Sequence, residues 1–300
     1  VGAALAAMQP SGNHRRIAAK AAPTHSWRRI MASSNHAAEI RAMPRFSANL
    51  SFLYQELPFL ERFAAAARSG FRGVEFHFPY EWPAEQVARA AREAGVEVVL
   101  FNFPAGDWVA GERGLGCLPG RVAEFRAGVA RALDYARVLG CRQLNCLAGI
   151  APAGAAAGEL LDTLADNLRH AADEAAAHGI RVLAEPLNTV DTPGFFLKHT
   201  AQAATLMEAV GRDNAFIQYD IYHAQVMEGD LARTLARHLP RIGHIQFADN
   251  PGRGEPGSGE INFPWLFAEI DRLGYADWVG AEYRPRGADT ESGLGWLQGW

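Results

Sequence analysis

The sequence predicts an α/β fold, a single (β/α)8 barrel. Eight apolar, strand-like runs alternate with helix-length segments between residues 43 and 300. That span of 258 residues is close to the roughly 250 typical of such barrels. Strict strand–helix alternation implies a parallel sheet. No GxGxxG follows the first run and no P-loop is present, which speaks against an open doubly wound sheet.

The elements read in order. RFSANLSFL is the first strand-like run, and LPFLERFAAAARSG is helical in period and closed by Gly70. GVEFHF follows, then PAEQVARAAREAG, with Pro83 near its first turn and Gly95 at its end. EVVLFNF leads through a long Gly-rich loop, Pro104 to Gly120, into the helix RVAEFRAGVARALDYARVLG. QLNCLAG precedes the helix ELLDTLADNLRHAADEAAAHG. RVLAEPL, FIQYDIYH, IGHIQFAD and WVGAEYRP are the last four strands, with TAQAATLMEAVG, DLARTLARHL and FPWLFAEIDRLG between them.

Residues 1–42 differ from the rest. Six Lys/Arg stand there against one acid, Glu39, so this segment carries +5 and the remainder −9 within a net charge of −4. It is Ala- and Ser-rich without sustained amphipathic period, which predicts a disordered or non-native N-terminal extension ahead of a catalytic barrel over 43–300. Met43 is an alternative start; the Arg-rich, acid-poor bias is also that of a transit peptide or a basic arm. No apolar stretch is long and clean enough to span a bilayer. The charge predicts no nucleic-acid partner. Cys117, Cys141 and Cys146 are an odd count without CxxC spacing, which argues against a disulfide framework and predicts a reduced, cytoplasmic setting. A homo-oligomer is left open.

Each of the last four strands has a polar side chain at or near its end: Glu185, Asp220, Gln246 and Glu282. A barrel gathers strand ends at one mouth, where its chemistry is placed. Any one of these alone reads as a surface partner or helix cap; four on consecutive strands point to a site. Three carboxylates and an amide oxygen make a hard, oxygen-rich cage suited to Mg²⁺ or Mn²⁺. Buried together without a cation, one carboxylate would take up a proton. His223, His244, Asp191 and Arg253 lie nearby in sequence, His244 on the same sheet face as Gln246. The loop 106–121, with Trp108, Glu112 and Arg113, is longer than an ordinary connection and predicts a lid that brings a cation to an anionic substrate.

RFSANLSFL, GFRGVEFHFPY, PAGDWVAGERGL, EPLNTVDTPGFFL, IQYDIYHAQVMEG, GHIQFADNPGRGEPGSGEIN and WVGAEYRP together resemble the hydroxypyruvate isomerase family, within the xylose-isomerase-like TIM barrels, over essentially all of 43–300. The resemblance implies that Glu185, Asp220, Gln246 and Glu282 are metal ligands, with Glu185 and Glu282 also the acid/base pair. It implies substrate contacts from Asp191, His223 and Arg253, the last matched across a one-residue gap. Related ketose epimerases carry a His where this chain has Gln246, which weakens a transfer of epimerase activity.

The expected reaction interconverts hydroxypyruvate and tartronate semialdehyde through a cis-enediolate, on a small hydroxy-keto acid and with no organic cofactor, since electrons move only within the substrate. The runner-up is 2-oxo-tetronate isomerase, the same chemistry on a four-carbon acid. A metal-dependent endonuclease on this barrel would need more His ligands and a basic face, against a barrel at −9. A non-catalytic sugar-acid binder would have lost the acid/base glutamates, and both are present.

Overall fold

The computed structural model describes residues 44–299. Eight parallel strands close into a barrel in sequence order. They are β1 (Arg45–Asn49), β2 (Gly73–Phe76), β3 (Glu97–Asn102), β4 (Gln143–Cys146), β5 (Arg181–Ala184), β6 (Ala215–Asp220), β7 (Ile242–Phe247) and β8 (Trp278–Ala281). Around them run α1 (Phe59–Arg68), α2 (Ala84–Ala94), α3 (Val122–Leu139), α4 (Ala157–Ala176), α5 (Thr200–Val210), α6 (Ile221–Met227), α7 (Leu231–His238) and α8 (Phe263–Arg272). The expected extension over 1–42 lies outside the described residues. No helix among the described residues is long and apolar enough to cross a membrane.

Local chemistry explains the helices. In α2, Val87, Ala88 and Ala91 form a buried stripe at helical spacing, and Gly95 ends it at φ +68°. In α4 the stripe runs Leu160, Leu164, Leu168, Ala171 and Ala175. These stripes pack on the outward faces of the strands, where Ala48, Val74, Phe76 and Phe101 are buried. The C-terminal 3-10 run Glu291–Gly299 brings Trp296 within 5.1 Å of Phe46 and 5.2 Å of Phe247, sealing the β1–β7 side.

The inside of the barrel is apolar only at its floor, where Val99, Leu100, Leu183 and Trp278 cluster with Phe216 packed against them. Above that floor the inward positions are polar: Ser47, Glu75, Gln218 and His244, then Asn49, Asn102, Asn145, Asp220 and Gln246. Two register shifts, beside Glu75 and beside Gln218, re-aim side chains in this polar zone.

Two expected strands end early. The first run stops at Asn49, whose Oδ1 accepts from the Ser51 backbone N–H and turns the chain. FIQYDIYH is not a strand through His223: β6 stops at Asp220 and α6 begins at Ile221. Asp220 is itself the N-cap, its Oδ1 accepting from the N–H groups of Tyr222 (2.7 Å) and His223 (3.4 Å), so an Asp after an apolar strand starts a helix.

Candidate active site

The mouth at the strand C-termini holds a cavity of about 360 Å³ walled by Glu185, Glu282, His223, Arg253, Asp191 and Arg113, among others. Asp220 stands beside Gln246 in register and close behind this wall. Of the nine residues expected at the site, six line this cavity, and Asp220 and Gln246 stand side by side near the ends of β6 and β7 without lining it.

His244 is the exception. It is fully buried below the mouth, and its Nε2 meets Glu75 Oε2 at 2.8 Å. Expected among the substrate-site residues, or as one that orients a ligand from behind, it does not line the cavity: a strand position two residues before Gln246 shares its face but lies one layer deeper in the barrel.

The carboxylates are held differently. Glu185 Oε2 accepts from Asn145 Nδ2 at 2.9 Å. Glu282 Oε1 accepts from His77 Nε2 at 2.7 Å, and its Oε2 lies 3.2 Å from Arg253 Nη2 without a well-directed hydrogen bond. Asp220 spends Oδ1 on the helix cap and leaves Oδ2 buried without a hydrogen bond, with Arg253 Nη2 at 3.6 Å. Burial pushes Glu185 well above the usual carboxylate range, and the charges of Glu282 and Asp220 add to it. Burial likewise pushes Asp220 up to about 7, with Arg253 opposing. Burial acts upward on Glu282 too, but Arg253 and His77 outweigh it and hold this carboxyl below its ordinary value.

His223 has a defined tautomer. The Asn188 backbone N–H donates to its Nδ1 at 3.1 Å, and Asn188 Nδ2 lies 2.7 Å away. Asn188 Oδ1 accepts from Val190 and Asp191 N–H groups, which fixes Nδ2 as the end facing the ring. Nδ1 is therefore an acceptor and Nε2 carries the proton, 3.6 Å from Asp220 Oδ2. Burial, then Arg253, lowers its pKa well below normal, so the ring is neutral.

Two loops complete the mouth. Asp249 is fully buried and accepts from the backbone N–H groups of Asn250, Gly257, Gly259 and Ile261. These bonds fold the loop after β7 and set Arg253 at φ +55°, its carbonyl accepting from Arg284 N at 2.7 Å. The loop expected as a lid is tied down: Gly114 bridges Ala148, and its φ of +120° and the Leu147 carbonyl 2.2 Å from a would-be Cβ require glycine. Glu112 pairs with Arg121 at 2.7 Å and serves the loop. Arg113 lies over Trp108 at 4.2 Å, with Nη1 donating to the Trp108 and Glu112 carbonyls.

The residues fit a divalent cation. A carboxylate oxygen each of Glu185 and Asp220 and a ring nitrogen of His223 lie within 4.8 Å of one another, and the two oxygens are the electron-pair donors of this group. The buried, unpartnered oxygens of Asp220 and Glu282 are free electron pairs. Three carboxylates against Arg253 leave a formal charge of about −2, which a divalent ion balances. His223, protonated on Nε2, offers a hydrogen bond rather than an electron pair. Gln246 Oε1 accepts from Gln218 Nε2 at 2.6 Å and retains its second lone pair.

Residues that sequence reasoning passed over surround these: Asn102, Asn145, Gln218 and Glu75. The signal was present as polar residues two apart in an apolar run, Glu75 with His77 in GVEFHF and Gln218 with Asp220 in FIQYD.

Residues 63–300 match the model of the xylose isomerase-like TIM barrels, and the chain belongs to that family. It is 52% identical over 255 residues to hydroxypyruvate isomerase of Escherichia coli K12, covering 85% of this chain and 98% of that protein. It is 50% identical over 256 residues to 2-oxo-tetronate isomerase of Cupriavidus necator, with the same coverage of 85% and 98%. These relatives are isomerases, and this chain is an enzyme of that class. Among solved structures, one titled AP endonuclease, family 2, from Brucella melitensis superposes with a TM-score of 0.84 at 48% identity, covering 86% of this chain and 99% of that one. The 3-keto-D-glucoside 4-epimerase of E. coli superposes at 0.73 and 23% identity, covering 86% and 100%, a likeness of fold alone.

Proposed function

We propose that the chain interconverts hydroxypyruvate and tartronate semialdehyde with the help of a divalent cation, Mg²⁺ or Mn²⁺. The observation that carries this reading is the unequal pair Glu185 and Glu282 facing one cavity, their environments pushing their proton affinities apart. The identity to hydroxypyruvate isomerase of E. coli supports the substrate. Glu185, Asp220 and Glu282 would hold the cation, with the second lone pair of Gln246 Oε1 a further donor. A bound divalent ion supplies Lewis acidity to the carbonyl and hydroxyl oxygens of the substrate.

The chain's own residues do the rest. Glu282, kept ionised by Arg253 and His77, takes a proton from the hydroxymethyl carbon of hydroxypyruvate. The electron pair left on that carbon forms the double bond of a cis-enediolate. Glu185, the carboxyl more readily protonated, returns a proton to the neighbouring carbon, the hydroxyl proton of the former hydroxymethyl carbon passes to the oxygen on that neighbour, and the former hydroxymethyl carbon becomes the aldehyde. His223 presents Nε2–H as a donor to a substrate oxygen, and Asp191, fixed by Tyr222 Oη at 2.9 Å, presents an acceptor to a hydroxyl. Trp108, over the mouth beside Phe78 (5.1 Å), helps to exclude water.

The relative from C. necator favours a second substrate, a 2-oxo-tetronate, on the same residues. Steady-state rates of purified protein on both acids, with Mg²⁺ or Mn²⁺, decide between them. Higher kcat/KM on hydroxypyruvate is the expected result; turnover of neither acid overturns the proposal.

A further inference from the structure

Glu75 is a buried carboxylate that the reaction does not use. It sits on β2 one layer below the mouth, fully enclosed. Four side chains from two other strands, β1 and β7, donate to it: Ser47 Oγ to Oε2 at 2.8 Å, Asn49 Nδ2 to Oε1 at 3.2 Å, His244 Nε2 to Oε2 at 2.8 Å and Gln246 Nε2 to Oε1 at 2.7 Å. Space is reserved for it: a Cβ on Gly280 of β8 would stand 2.4 Å from both its oxygens.

The bond to Gln246 has a consequence for the mouth. A carboxamide has two ends of nearly equal shape and opposite polarity, and only its neighbours decide which way it faces. Glu75 receives donors at both of its oxygens and so acts here as an acceptor. Glu75 therefore holds the nitrogen end of Gln246, and the oxygen end faces the other way, where Gln218 Nε2 donates to it. Turned over, Gln246 would set its oxygen against Glu75 and its N–H₂ against the Gln218 donor. A flipped amide would also offer the cage a donor, which repels a cation.

We propose that Glu75 is a positioning residue that orients the Gln246 carboxamide, so that Oε1 is the atom available to a cation held by Glu185, Asp220 and Glu282. This rests on the cation reading above. Replacing Glu75 by an apolar group would leave Gln246 free to turn; replacing it by glutamine leaves both orientations open.

The test is Mn²⁺ affinity of the full chain by calorimetry and by the electron-spin signal of free Mn²⁺, without substrate. Glu75→Gln is expected to weaken Mn²⁺ binding by about 10–100-fold, the usual effect of losing an outer partner of a ligand. In a Gln246→Ala background the same substitution is expected to cost no further affinity, because the residue it acts through is gone. Unchanged affinity in Glu75→Gln, or an equal loss in both backgrounds, overturns the proposal and leaves the cation reading intact. No Mn²⁺ binding to the unaltered chain overturns both. If Glu75→Gln does not fold, the native chain answers by nuclear magnetic resonance. The Gln246 side-chain N–H₂ is expected to exchange with deuterium far more slowly than an exposed glutamine when Mg²⁺ is present; exchange as fast as an exposed glutamine overturns the proposal.

Discussion

The guanidinium of Arg253 stands 3.2 Å from the carboxylate of Glu282, at the wall of the cavity and nearly buried. The rings of Phe52 (4.6 Å) and Tyr222 (5.2 Å) flank it, and Asp220 Oδ2 is 3.6 Å away. Its charge is thus already engaged by the chain. Removing one partner of a buried ion pair leaves the other uncompensated, at a cost of roughly 3–5 kcal/mol. Arg253→Ala is expected to lose about that much unfolding free energy in chelator-treated protein, measured in urea. Unchanged stability would show that the pair is not compensating charge.

Glu185 and Glu282 should separate in a deuterium experiment. Each Glu→Gln substitution is expected to lower kcat by about 10² or more. Glu185→Gln, which keeps the base, should still exchange the hydroxymethyl protons of hydroxypyruvate with D₂O, whereas Glu282→Gln should not. The reverse pattern would assign the base to Glu185.

Cation binding should depend on pH with a definite sign. The pKa values of Glu185 and Asp220 are both raised, and the proton of Asp220, near 7, is one that a cation must displace. Mn²⁺ affinity is therefore expected to rise between pH 5.5 and about 7.5. Both groups bind protons more tightly folded than unfolded. Their contribution to stability is complete below the unfolded carboxylate value of about 4 and is lost as pH rises through 7. Chelated protein should melt lower at pH 7.5 than at pH 5.5, and saturating Mg²⁺ should remove the difference. A pH-independent affinity would contradict this account.

The substrate carboxylate needs a cation that the chain has not already paired. Arg113 lines the cavity with only Nη1 engaged, and Arg284 lines it exposed, with no ion pair from its side chain among the described residues. A lost charge-assisted hydrogen bond is worth about 1.5–3 kcal/mol, so replacing the right arginine by alanine should raise KM about 10-fold or more. Cation affinity and melting temperature should not move. If neither Arg113→Ala nor Arg284→Ala changes KM, the carboxylate is held by other groups, with His77 next in reach.

Much of the site was legible as strand ends. Glu185, Asp220, Gln246 and Glu282 stand out because each follows an apolar run, and a parallel barrel must collect such ends at one mouth. Glu75 did not stand out. A Glu inside GVEFHF has no local mark of its four donors, which come from β1 and β7, as far as 171 residues away. His223 was read onto a strand because IYH continues the apolar run; only the cap geometry of Asp220 turns it onto a helix.

The sequence by itself determined the alternation of eight strands with helices, and hence the closed parallel barrel, because period-two and helical hydrophobic patterns are local. It also determined which residues share a strand face. The tertiary structure decided depth and pairing. His244 and Gln246 point the same way, yet one is sealed against Glu75 and the other stands level with Asp220. Depth along a barrel axis depends on the stagger between neighbouring strands and on the bulges beside Glu75 and Gln218. Those are fixed by hydrogen bonds between segments distant in sequence, which no single stretch of the chain encodes.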